Sequence, residues 1–180
     1  MFSLKGEKVW LRALEPEDLD FLYQIENDES IWEVSHTISP YSKWVLKQYL
    51  ANAQQDIYES KQLRLVICDS KNETVGLIDL FDFDPHHKRV GLGILVHTQQ
   101  KKGYATEALQ LVIAYAFSQF DLNQVYVNIS EDNSLSISLF ENLNFKLIGV
   151  KKDWNYANGQ FKNERMYQLI NPKRNPFENR

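Results

Sequence analysis

At 180 residues the chain has the length of one domain and can bury a core without disulfide or metal staples. Hydrophobic residues make up 43% and charged residues 24%, with a net charge of −4, an ordinary balance for a globular protein that argues against nucleic acid as a partner. No apolar run reaches the ~20 residues of a membrane span, no signal pattern opens the chain, and the single Cys68 excludes an internal disulfide, so a cytoplasmic protein without a membrane partner is expected.

Residues 9–14 read as a first strand with Arg12 in its alternation. Glu15-Pro16-Glu17-Asp18 then opens a helix, with proline near the first turn and acids beside the N-terminus. Leu19, Leu22, Tyr23 and Ile25 carry its apolar stripe. Acidic residues crowd this region, from Glu15 to Glu33, as a solvated face or as a field suited to a cationic acceptor. Residues 32–41, with their aromatics and Pro40, read as a loop. A second helix over 42–53 places Trp44 or Val45, Tyr49 and Ala53 at helical spacing.

Leu63–Asp69 and Thr74–Asp84 read as strands joined by Ser70-Lys71-Asn72-Glu73, with Cys68 a buried strand thiol. Arg89–Val96 follows as a strand containing Gly91 and Gly93, which fit either a bulge approached by a ligand or small residues packed under a helix. An amphipathic helix runs from Gly103 to about Phe120, with Ala108, Leu109, Val112, Ala116 and Phe117 on one face. Val125, Val127 and Ile129 alternate as a fifth strand. The next helix is capped by Asn133 or Asp132 and turns Ile137, Phe140 and Leu143 inward. Asn158-Gly159 is a two-residue hairpin signal joining strands over 147–156 and 161–170. The order defines an α/β (α+β) chain: one mixed sheet, helices on both faces, a single domain over 1–172 and a loose tail over 173–180. His86 and His87 are adjacent and His36 and His97 isolated, so no metal site is expected.

The richest stretch is Gln100-Lys101-Lys102-Gly103-Tyr104-Ala105-Thr106, a glycine-bearing turn between a strand and a helix. Such a turn aims backbone N–H groups and a positive dipole end at one spot, which suits phosphate oxygens. Lys101 and Lys102 add charge there, and Gly103 lets a ligand approach the main chain. A P-loop is excluded, because no Gly-Lys-Ser/Thr follows.

The spacing Gln-x-x-Gly-x-Ala resembles the pyrophosphate-binding signature of the GCN5-related N-acetyltransferases (GNAT). Asn133-Ser134-Leu135-Ser136 and Leu139-Phe140-Glu141-Asn142-Leu143-Asn144-Phe145 resemble the family's second block. The resemblance runs from Val9 to Ile170, toward the branch of spermidine and ribosomal-protein N-terminal acetyltransferases. It implies the GNAT fold with a mostly antiparallel sheet, acetyl-CoA as co-substrate, and an amine acceptor that is polyamine-like or a protein N-terminus. A homo-oligomer is left open. It also implies cofactor contacts at Ile94, Leu95, Val96, the loop residues Gln100 to Thr106 already named, Asn133 and Ser136.

Direct attack by an amine on the thioester is implied, and magnitudes rank the helpers. An alkylammonium of pKa ~10.4 must be deprotonated near pH 7, whereas the leaving thiol has pKa ~8.5, so a base matters more than an acid. The chain departs from the family at both usual positions: Phe140 stands where many members carry a tyrosine acid, and Gly91 near the usual glutamate. Ser136 matches a serine proposed as the acid in some relatives, with cofactor contact or helix capping as its alternative role. For the base, Asp82 is preferred and Asp79 is second, on a strand rich in carboxylates; alternation puts them on opposite sides, and an acid at a strand edge is more often simply solvated. A non-catalytic acyl-CoA-binding regulator remains the alternative function.

Overall fold

The computed structural model describes residues 3–53, 55–97 and 103–174. Seven strands form one sheet in the order β1-β2-β3-β4-β5-β7-β6. They are β1 Val9–Ala13, β2 Leu63–Asp69, β3 Thr74–Asp84, β4 Arg89–Val96, β5 Gln124–Ser130, β6 Lys146–Ala157 and β7 Gln160–Ile170. Neighbours are antiparallel except β4 and β5, which run parallel. A parallel pair needs a crossover, and the long helix α5, Tyr104–Gln119, supplies it. The others are α1 Leu19–Glu26, α2 Trp32–Ser35, α3 Lys43–Asn52, α4 Ile57–Ser60 and α6 Ser134–Asn142.

Strand alternation divides the core. Leu65 and Ile67 of β2 join Ala108, Leu109 and Val112 of α5 in one cluster, with Phe140 and Phe145 in it. Val66 and Cys68 join Leu22 and Ile25 of α1 and Leu46 of α3 in another. Helices therefore cover both faces, because successive strand residues point to opposite sides.

Three local expectations are corrected. Residues 32–41 are not all loop: Asp28 caps a 3-10 turn by accepting from Ser30 N at 3.0 Å, and α2 follows. The buried residue of α3 is Leu46, while Trp44 is 71% exposed; the Ser42 side chain accepts from Val45 N and fixes the helix phase that turns Trp44 outward. The bulge lies on β3 and not on β4. Pairing slips between Phe81 and Asp84, and Asp82 takes φ 49 to absorb the extra residue. Gly91 serves close packing, since a Cβ there would sit 2.4 Å from the Phe81 ring. Among the described residues no helix is long and apolar enough to cross a membrane.

Candidate active site

β4 and β5 pair only at Arg89↔Gln124, Val90↔Val125 and Gly91↔Tyr126. Beyond Gly91 they part, so the β5-facing edge of β4 loses its ladder partner. A linear ligand with its own amide groups fits such an edge as an added strand. The split opens into a trough of about 1160 Å³ on the face that carries α1 and α3. Leu92, Gly93, Ile94 and Leu95 line one wall, and Val127, Asn128, Ile129 and Ser130 the other.

The cofactor expectations can now be placed. Ile94 and Leu95 line the trough, whereas Val96 does not; it pairs with Gly76 on β3. Gly103 is the N-cap of α5 at φ 76, the left-handed conformation that favours glycine. Tyr104, Ala105 and Thr106 form the first helical turn. Gln100, Lys101 and Lys102 lie outside the described residues. A cation not anticipated stands beside the glycine: a Cβ on Gly103 would meet the Lys8 ammonium at 3.0 Å. The free strand edge and the glycine-started helix together fit a long cofactor carrying phosphates at one end.

Asn133 is the cap of α6, its side chain accepting from Ser136 N at 3.1 Å. Ser136 is half-buried on the trough wall, and Asn133 lines it too. Asp132, the other candidate cap, instead accepts from Ser130 Oγ at 2.7 Å and pairs with Lys162 at 2.7 Å. Those partners hold its carboxyl below the usual range: the Lys162 bond first, then Ser130. Phe140 is buried against Phe145, ring centroids 5.1 Å apart, and donates nothing.

The two strand aspartates separate. Asp79 lines the trough opposite Gly93 of β4. Both of its oxygens accept from Arg64, at 2.6 and 3.1 Å, and Arg64 also reaches Glu26 at 2.6 Å. Asp82, the preferred base, is exposed on the bulge and does not line the trough. Its charge falls on Tyr126, whose phenol is raised chiefly by burial and then by Asp82. Alternation is the first reason: residues 77, 79 and 81 face the trough, so Asp82, three positions from Asp79, starts on the opposite face, and the bulge leaves it exposed there instead of packed.

Sequence reasoning missed the far wall. Glu164 of β7 is buried and lines the trough. It accepts from Lys151 Nζ at 2.5 Å and Asn155 Nδ2 at 3.0 Å. Burial pushes its carboxyl up, but Lys151 and Asn155 outweigh that and its pKa is lowered, so it stays an anion. His36, at the end of α2, brings Nε2 to 4.0 Å from Glu164. Glu33 of α2 ties to Lys162 and accepts from Asn158 Nδ2 at 3.3 Å, so α2 and the β6-β7 hairpin meet over the trough. Residues 162–165 are all polar, so no apolar alternation marked Glu164 as the inward-facing one.

A split sheet edge for a phosphate-bearing cofactor, facing a carboxylate-lined trough, defines a transferase that joins two substrates across β4. Comparison with known proteins agrees. Residues 8–146 match the family model described as the acetyltransferase (GNAT) domain. Spermidine N(1)-acetyltransferase of Escherichia coli (strain K12) is 30% identical over 160 residues, covering 88% of this chain and 83% of that protein. The Vibrio cholerae spermidine N(1)-acetyltransferase is 26% identical over 166 residues, covering 91% and 94%. A crystal structure of the Vibrio cholerae spermidine N-acetyltransferase with CoA and spermine superposes with TM-score 0.81 at 23% identity, over 92% of this chain and 96% of that one. The chain belongs to the GNAT acetyltransferase family. It is an enzyme, an N-acetyltransferase that takes its acetyl group from acetyl-CoA and gives it to an amine.

Proposed function

We propose that the acceptor is a primary amine at the end of a slender polycation of the polyamine or diamine type. The carrying observation is the charge of the trough wall: Glu26, Glu33, Asp79, Asp132 and Glu164 outweigh Arg64, Lys151 and Lys162. An excess of fixed carboxylates attracts a cation and raises its local concentration. The named activity of the 30%-identical Escherichia coli relative supports the same substrate class. We assign the reaction to the cytoplasm.

Acetyl-CoA then lies along β4, with Ile94 and Leu95 at its edge and Gly103 to Thr106, Asn133 and Ser136 around it. One β4 N–H is placed to polarise the thioester carbonyl. Asp79, opposite Gly93, holds the incoming ammonium near that carbonyl. Because Arg64 occupies both of its oxygens, it anchors charge and is a poor proton acceptor. Ser136 is the hydroxyl assigned to the departing sulfur. That role is small, since a thiol of pKa ~8.5 leaves readily.

Labelled acetyl-CoA with a panel of spermidine, 1,4-diaminobutane and N-terminal peptides tests the acceptor class. The amines should be acetylated with kcat/KM at least ten-fold above the peptides, and Asp79→Asn should raise KM for them while kcat survives. Added salt should imitate that variant on the wild type. A preference for peptides would overturn the polyamine reading.

A further inference from the structure

The trough holds many carboxylates and one imidazole, and they differ in how free they are to take a proton. Arg64 holds both Glu26 and Asp79. Lys162 holds both Glu33 and Asp132, and Lys151 holds Glu164. A carboxylate already paired with a cation forfeits charge-assisted bonds when protonated, so each of these is a reluctant base. Tyr49 also lines the trough, and burial raises its phenol. Lysine and arginine in ion pairs are acids, not bases, at neutral pH.

His36 is the exception. It lines the trough, and a neutral imidazole offers a ring nitrogen that can accept a proton, whereas its carboxylate neighbours are held by cations. Its backbone is fixed at φ 56, closing α2, with the cap N–H bonded to Trp32 O. Glu164 stands 4.0 Å from Nε2 as a buried anion. The charged groups around that end of the trough are Glu33 from the same helix, Glu164 and Lys162 from β7, Lys151 from β6 and Asp132 from the turn after β5. Lys151 and Lys162 are both spent on carboxylates.

We infer that His36 is the proton acceptor for the substrate amine, with Glu164 as its positioning residue; this rests on the amine acetylation described above. Neutral His36 takes one proton from R–NH3+, giving R–NH2 and imidazolium. The amine nitrogen then attacks the thioester carbon, forming the C–N bond. The tetrahedral adduct collapses with cleavage of C–S, and the second N–H proton passes to the CoA thiolate. Imidazolium returns its proton to solvent. The sum is R–NH3+ and acetyl-CoA giving the amide, CoA thiol and one H+.

The test is the pH profile of His36→Asn, since asparagine tolerates the left-handed backbone and the position is exposed. Kinetics use whichever primary amine of the panel the wild type turns over fastest, so the acceptor reading and the His36 reading fail separately. At pH ~7 kcat should fall about 100-fold or more, the usual worth of a general base. The acid limb of the wild-type kcat profile should vanish, and the deficit should shrink toward pH ~10, where the amine deprotonates itself. Acetyl-CoA affinity by calorimetry should be unchanged. Glu164→Gln, checked for folding by circular dichroism, should lower kcat while KM for the amine is kept, because His36 then loses the carboxylate that positions it. A His36→Asn enzyme with the wild-type profile, or with turnover lowered equally at every pH, overturns the inference whatever Glu164→Gln does.

Discussion

Two residues of β3, three apart, show how small shifts decide chemistry here. Asp79 falls on the trough face of the strand, while Asp82, an odd number of positions on, falls on the other face and is held exposed there by the bulge. Glycines are equally particular. Gly159 has φ 81 with open space around it, so the turn alone requires it. Gly76 is required by contact: a Cβ there would lie 2.2 Å from Leu95 O and 3.0 Å from Val96 Cα, which are main-chain atoms of β4. Backbone cannot swing aside as a side-chain end can. Gly76→Ala should therefore push β4 outward at the cofactor edge, costing about 1–3 kcal/mol of stability, the usual cost of overpacking. Urea denaturation reads the first effect, and a weaker acetyl-CoA affinity by calorimetry the second; a variant unchanged in both would contradict this account of the strand edge.

Between elements, single carboxylates act as clamps. Asp18 takes Arg12 of β1 through two bonds of 2.7 and 2.8 Å and joins the strand to the turn before α1. Glu107, in the first turn of α5, accepts from Glu7, Lys8 and Val9 N–H groups at 3.1, 2.8 and 2.7 Å. It thereby ties the start of β1 to the helix that carries Gly103. Burial opposes its charge, but the three N–H donors outweigh that, and its pKa is lowered. A depressed carboxyl stabilises the fold above its unfolded pKa of ~4.3, and that stability is lost as pH falls through the folded value. Glu107→Gln should cost about 1–2 kcal/mol at pH 7, since its one remaining oxygen cannot serve all three donors. The gap between wild type and variant should close below pH ~4; thermal melts across pH 3–7 check both. At the other cap, Asn144 takes φ 67 while Phe145 N donates to Phe140 O at 3.1 Å. Asparagine thus ends α6 in the left-handed conformation that glycine most often supplies and asparagine next.

At the scale of the molecule, the sheet is incomplete by one strand. β3 holds one edge of β4 along most of its length, while β5 leaves the other after three residues. Acetyl-CoA laid along that edge should slow amide exchange most among the N–H groups of residues 92–96 that point away from β3. It should also raise the melting temperature with concentration, as any ligand of the native state does. Protection confined to other elements would place the cofactor elsewhere. Over the trough that this edge opens into, α2 and the β6-β7 hairpin are joined by Glu33, Lys162 and Asn158.

Local signals determined much of this protein. Leu63–Asp69, Thr74–Asp84 and Arg89–Val96 carry period-two or wholly apolar runs with clear turn residues between them, and the strands stand at those bounds. The Asn158-Gly159 turn and the Asn133 cap were legible for the same reason, because neighbouring residues alone set their backbone angles. The two short blocks led to the family because phosphate binding at a helix start needs a local sequence. The near wall was legible in part, with Asp79, Ile94, Leu95, Asn133 and Ser136 all lining the trough, but the grouping on the far wall was not. Glu164 and Lys151 are 13 positions apart and His36 lies more than a hundred before either, and only β6-β7 pairing and the fold of α2 over it bring them together. The Asp82 bulge was hidden likewise, since one slipped residue shows only against the partner strand. Chain-local chemistry follows from sequence, whereas a carboxylate's partners and the face it serves depend on contacts that only the tertiary structure makes.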